Sequence, residues 1–175
     1  MIVCAGNNES FEFAISIGIG ITQSVIKLTQ ILSEKKYEEI IFIGSAGIYG
    51  GAKIGEIYES KSASNLEISY LQNLSYSPIL GEIYSNVSCE TFRINSSNFI
   101  TTDEKIAKKF FEFGLNLENM EFFSVSQVAQ NFGIPFTGIF YTTNFCNKNA
   151  HNDFIKNLKN AKKELENELK NRGLI

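Results

Sequence analysis

IIFIGSAGIYGGAKIGEI, residues 40–57, is where the chain declares its architecture. Ile40 to Ile43 is apolar and mostly β-branched, the composition of a strand buried on both faces. It runs directly into Gly44-Ser45-Ala46-Gly47 and then Gly50-Gly51. Small residues just past a strand let a ligand approach backbone donors. No Lys-Ser/Thr pair follows, so the segment is not a Walker P-loop. A plain strand-to-loop turn accounts for it equally well.

On the N-terminal side, Met1 to Ala5 is an apolar run ending at Gly6-Asn7-Asn8, which reads as a buried strand and a turn. Ile21, Val25, Leu28 and Leu32 recur at three- and four-residue intervals, the mark of an amphipathic helix. Gly18-Ile19-Gly20 precedes it. That element suits an anion near a helix start, or simple close packing, and Gln23 breaks any GxGxxG pattern.

On the C-terminal side, Gly55–Glu59, Leu66–Leu71 and Ile83–Val87 are candidate strands, with a turn at Ser75–Pro78. A helix runs from Asp103 to about Phe113, with Thr102 or Asp103 as N-cap. A second helix spans Met120 to Phe132 and is ended by Gly133 and Pro135. Phe136 to Thr142 is a strand. Asp153 to Arg172 is a long helix with a Glu166–Lys170 pair on its outer face. Strands separated by helices, with glycines at the strand ends, indicate a three-layer α/β fold forming one domain over residues 1–175. Ligands in such folds bind at the carboxyl ends of strands. Both the Gly44–Gly51 segment and the stretch after Thr142 fall there.

Composition narrows the function. Hydrophobic residues make up 43% of the 175 residues and charged ones 20%, ordinary for a globular protein. The net charge is −3, and the only arginines are Arg93 and Arg172, so the basic footprint of a nucleic-acid binder is missing. Cys4, Cys89 and Cys146 form no CxxC pair, which argues against a disulfide framework and a metal site and for buried thiols in a reducing cytosol. The first residues show no secretion signal. No apolar run approaches the ~20 residues of a membrane span. A cytoplasmic location without membrane or nucleic-acid partners is expected.

Several residues carry both a plain and a chemical reading. Glu121, near a helix start, suits the helix dipole, or accepts two hydrogen bonds from a vicinal diol. Asn144 past a strand end suits a turn, or donates and accepts at once. His151, the only histidine, is a surface or capping residue unless it faces a site. Phe99 is a core residue or an aromatic wall for a flat ring.

Taken in order, these segments resemble the purine nucleoside phosphorylase and methylthioadenosine nucleosidase family. Residues 40–57 look like that family's strand, GSAG loop and K-x-G-[DE]-[IV] run. NMEFFSVSQVAQNFGIPF, residues 119–136, is similar to its MExxxxAxxxxxxxxPF helix. Gly18–Gly20 resembles its SGIG element, and Ser96–Ile100 its base-pocket segment. The matches span nearly the whole chain, which is shorter than usual members, mainly before residue 40.

The resemblance implies an α/β/α fold around a central mixed sheet. It implies that Glu121 holds the ribose hydroxyls, Met120 packs under the sugar, Phe99 stacks on the purine and Ile100 meets the base edge. Ser45 would face phosphate or water. Asn144 stands where the family handles N7 of the leaving base, and its amide in place of an aspartic acid points to a 6-oxopurine. Gly20 and His151 complete the candidate contacts. The leading reading is a purine nucleoside phosphorylase of nucleoside salvage, with phosphate as co-substrate and no organic cofactor or metal. Phe42, however, stands where hexameric phosphorylases carry an arginine, which leaves backbone amides, Ser45, Lys53, Arg93 or a neighbouring subunit to hold phosphate. One alternative is a nucleosidase, with water as nucleophile and Glu9 beside it. Another is a nucleoside-binding protein with little catalysis. A homo-oligomer, dimer or higher, is implied.

Overall fold

The computed structural model describes residues 1–79, 81–84 and 92–175. Its strands are β1 (Ile2–Cys4), β2 (Ile15–Ser16), β3 (Ile40–Ile48), β4 (Ile57–Ser60), β5 (Ser62–Ser64), β6 (Glu82–Tyr84), β7 (Ile94–Ser96), β8 (Leu117–Asn119) and β9 (Phe136–Phe145). Its helices are α1 (Gly20–Glu34), α2 (Ile68–Leu71), α3 (Glu104–Glu112), α4 (Phe122–Asn131) and α5 (Ala150–Asn171). Cys89 and the 85–87 part of the strand expected at Ile83–Val87 lie outside the described residues. Cys4 and Cys146 are buried, unpaired thiols. Among the described residues no helix is long and apolar enough to cross a membrane.

The strands form one mixed sheet with β3 as its axis. Along one edge β3 pairs in parallel with β9, from Ile40 opposite Phe136 to Ile48 opposite Phe145, with a bulge between Ala46 and Gly47. Its other edge is shared. Parallel β1 meets Ile41 and Phe42, and antiparallel β8 meets Gly47 and Ile48. Beyond β1 lies β2; beyond β8 lie β7, β5 and β6; β4 pairs antiparallel with β9. The sheet therefore forks at Gly44–Ala46, where β3 has no strand on this edge. Backbone groups exposed at such a fork need other partners, and they determine where the site forms.

Alternation along β3 sets the three layers. Ile41 and Ile43 pack with Ile139 and Tyr141 against Ala161, Leu165 and Leu169 of α5. Ile40 and Phe42 face the opposite side, where Leu28 and Leu32 of α1 and Phe122 and Val125 of α4 close the core. Phe42 is fully buried, its ring centroid 5.9 Å from that of Phe122 and 5.7 Å from that of Phe140. Burying a side chain of this size stabilises the fold by about 1.5–3 kcal/mol. The position resembling a phosphorylase arginine is thus a core position.

The structure differs from the sequence expectations at several joints. Gly44-Ser45-Ala46-Gly47 is strand, not loop, because β9 accompanies it throughout. Space is tight there: a Cβ on Gly44 would lie 3.0 Å from the Phe42 ring, and one on Gly47 2.9 Å from Cys146 Sγ. Leu66–Leu71 holds the short helix α2 instead of a strand. The Asn95 side chain accepts from Leu66 N–H at 2.8 Å and donates to Leu66 C=O at 3.0 Å, occupying groups a neighbouring strand would use. Asn144 lies within β9, not past its end, and α5 begins at Ala150 rather than Asp153. Helix α3 starts as expected, with Asp103 Oδ1 accepting from Lys105 and Ile106 N–H at 2.8 and 3.0 Å.

Candidate active site

A cavity of about 290 Å³ opens at the fork, against the carboxyl ends of β1, β3 and β9. Its floor is Ser45, Ala46, Gly47 and Asn144. The loop after β1 supplies one wall. Gly6 and Asn7 adopt positive φ of 100° and 51°, which glycine and asparagine tolerate, and Glu9 N–H closes the turn onto Gly6 C=O at 3.0 Å. This folds Glu9 over the fork. Its Oε1 accepts from Ser45 N–H at 2.7 Å, the donor for which β3 has no strand partner. The Ser45 carbonyl accepts from Asn119 Nδ2 at 3.1 Å.

Opposite stands Glu121. Asn119 Oδ1 accepts from the Glu121 and Phe122 N–H groups at 2.8 and 2.9 Å, so Asn119, two residues ahead of the N-cap Glu121, occupies the first N–H of α4. The Glu121 side chain, freed from capping, turns inward and is only 3% exposed. Its Oε1 accepts from Gly20 N–H, the first residue of α1, at 2.9 Å. Burial pushes its pKa up from 4.5 to about 7; the Gly20 N–H works against this and the Glu9 charge adds to it. Two carboxyl groups thus feel one another across the cavity.

Asn144 is oriented by its neighbours. Its Nδ2 donates to Phe145 C=O at 3.2 Å, and Oδ1 accepts from Thr143 Oγ1 at 2.8 Å. The reverse amide would set two carbonyl oxygens against each other, which fixes the assignment. Nδ2 keeps a second hydrogen to give. A third acid, Glu118, also lines the cavity and is 5% exposed.

Of the residues singled out from sequence, Glu9, Ser45, Ile100, Met120, Glu121, Asn144 and His151 all line this cavity. Gly20 lies behind it and acts through its N–H on Glu121. Phe99 does not line it: the ring is 80% exposed, and the apolar walls are Ile19, Ile100, Met120 and Phe154. Lys53 stands in solvent near Glu56, and Arg93 pairs with Glu82; neither is in the lining. Among the described lining residues there is no lysine or arginine. Sequence reading missed Glu118, Asn119, Ile19 and Phe154. Asn119 carried a signal, an asparagine just ahead of an apolar helix; Glu118 carried none, since an acid beside Leu117 reads as a solvated face.

No model of a known protein family matches the chain, and no curated protein matches its sequence. Solved structures do match. A mutant of futalosine hydrolase from Helicobacter pylori superposes with a TM-score of 0.76 at 16% identity, covering 92% of this chain and 92% of its own. S-adenosylhomocysteine nucleosidase from Streptococcus pyogenes, in complex with a methylthiotubericidin, gives 0.75 at 13% identity over 93% of this chain and 90% of its own. Methylthioadenosine/S-adenosylhomocysteine nucleosidase from Helicobacter pylori gives 0.72 at 18% identity over 85% of this chain and 73% of its own. The chain has the nucleoside phosphorylase and nucleosidase fold.

Proposed function

We propose that this chain is a nucleosidase, in which water cleaves the bond between a purine base and its ribose-type sugar. The observation that carries this is the charge of the cavity: Glu9, Glu118 and Glu121 line it, and His151 is the one basic side chain among the described lining residues. Phosphate there would meet like charges, and each such pair at ~4 Å costs about 1–4 kcal/mol at water-like to surface-like screening. Water meets no such penalty. Hydrolysis therefore replaces the phosphorolysis that the sequence reading puts first. Solved structures that superpose on this chain include a futalosine hydrolase and an S-adenosylhomocysteine nucleosidase.

The geometry suggests a division of labour. Glu9, its Oε1 anchored on Ser45 N–H, orients the attacking water and takes its proton. The water oxygen bonds to the anomeric carbon, the carbon–nitrogen bond breaks, and its electron pair leaves with the base. Positive charge built on the sugar lies near the carboxylate of Glu121, which also accepts from the sugar hydroxyls. Negative charge on the base is met by the free Asn144 Nδ2 hydrogen. An amide donor there suits a purine whose adjacent N7 and 6-oxo groups both accept, as in inosine. Glu9→Gln lowers kcat by about 10²-fold or more, with the melting temperature kept. Unchanged turnover in that variant would remove Glu9 from the reaction.

A further inference from the structure

Glu118 is a buried acid with more partners than a cavity lining requires. Its Oε1 accepts from Tyr49 Oη at 2.8 Å and from Thr101 Oγ1 at 2.6 Å. Thr101 N–H donates to Oε2 at 3.0 Å, and Cys146 Sγ donates to the same oxygen at 3.4 Å. Every one of these partners is a donor, and a carboxylate is the only side chain that accepts all of them without offering a hydrogen in return. Tyr49 and Thr101 are 7% and 3% exposed, so these partners of Glu118 are withheld from bulk water. Burial and the neighbouring Glu118 charge push the Tyr49 hydroxyl and the Cys146 thiol well up, so both remain donors.

Thr101 ends the segment that follows β7 and carries Ile100, a wall of the cavity. The other end of that segment is held by Asn98, whose Oδ1 accepts from Ile21 N–H at 2.8 Å. Otherwise, among the described residues, the segment makes only a local bond, Phe99 N–H to Ser97 Oγ at 3.1 Å, and Phe99 and Ile100 are 80% and 51% exposed. Packing therefore does little to place Ile100; the end anchors do. One anchor touches the start of α1, beside the Gly20 N–H that holds Glu121. The other is Glu118, three residues before Glu121 on the same segment.

We infer that Glu118 is a positioning residue for the proposed reaction: through Thr101 it fixes the Ser97–Thr101 strap, so that Ile100 forms a preset wall for the base. This rests on the nucleosidase reading. Ordering the wall before substrate arrives spares the cost of ordering it on binding. The effect belongs to substrate affinity rather than to bond breaking, because Glu118 acts on the wall and not on the reacting atoms.

The test compares Thr101→Val, Thr101→Ser and Glu118→Gln with the unaltered chain, by steady-state base release from inosine and by calorimetric binding of hypoxanthine. Thr101→Val removes the hydroxyl tie, and Glu118→Gln sets an amide donor against a ring of donors. Each is expected to raise KM and the base Kd about tenfold, with kcat changed less than about threefold. Thr101→Ser keeps both ties and is expected to restore wild-type KM. A KM unchanged in Thr101→Val and Glu118→Gln, with only the melting temperature lowered, would make the cluster merely structural and overturn the inference. A fall in kcat at constant KM would also overturn it. An unaltered chain that binds hypoxanthine but releases no base would instead defeat the nucleosidase reading, and the Kd series would still decide the role of Glu118. No binding of hypoxanthine by any form would overturn both.

Discussion

Glu121 meets opposing demands. Its burial favours the protonated form, whereas a sugar diol needs an acceptor. The raised pKa of about 7 means that stability held by the neutral carboxyl is fully present below about 4.5 and is lost as pH rises through about 7. The loss is about 3 kcal/mol. Gln in its place stays neutral and still accepts from Gly20 N–H. Urea titrations from pH 4 to 8 should show Glu121→Gln gaining on the native chain as pH climbs, by about 3 kcal/mol at pH 8. Parallel pH profiles would remove the buried charge from the account. The same titration should appear in function, with kcat/KM rising as pH approaches about 7 and Glu121→Gln inactive throughout. Asn144 makes a separate prediction. Asn144→Asp, which can carry a proton to N7, should gain activity on adenosine and lose it on inosine. An unchanged ratio between the two substrates would detach Asn144 from base recognition.

The fork in the sheet depends on β3 and β9 remaining close where glycine replaces a side chain. A Cβ on Gly47 would fall 2.9 Å from Cys146 Sγ and 3.1 Å from Asn144 Nδ2. Gly47→Ala should therefore cost about 1–3 kcal/mol by overpacking and also lower base release, because Asn144 is displaced. Stability lost with activity intact would show that the two strands absorb the methyl elsewhere. Helix α3 offers a contrast, since its cap lies away from the cavity. Asp103→Ala should cost about 1 kcal/mol in chemical denaturation and leave turnover unchanged. Helices and long strands were legible in the sequence because their periodicity is written in apolar residues: Leu28 and Leu32, Phe136 to Tyr141. Strands β5, β7 and β8 were not. Ser62, Ser64, Asn95, Glu118 and Asn119 are buried polar residues of three-residue strands. Their burial is made tolerable by partners distant in sequence, such as Thr101 and Tyr49 for Glu118, and no local pattern announces those.

Across the molecule, the site is assembled from residues of low individual signal. Glu9 comes from the first loop, Ser45 from the axis strand, Glu121 from the start of α4 and Asn144 from β9. Their order along the chain matched a known fold before any one of them identified itself. What sequence order could not supply was the sign of the cavity's charge. Lys53 and Arg93 were available as phosphate ligands on paper, and the fold sends both elsewhere. Phe42 is committed to the core between Phe122 and Phe140. A cavity lined by three acids favours a neutral nucleophile. The direct measurement is base release from inosine in phosphate-free buffer and in buffer with phosphate, with the sugar product identified. Hydrolysis predicts equal rates and free ribose in both. Release only with phosphate, yielding a phosphorylated sugar, would contradict the account and require a cation in the site.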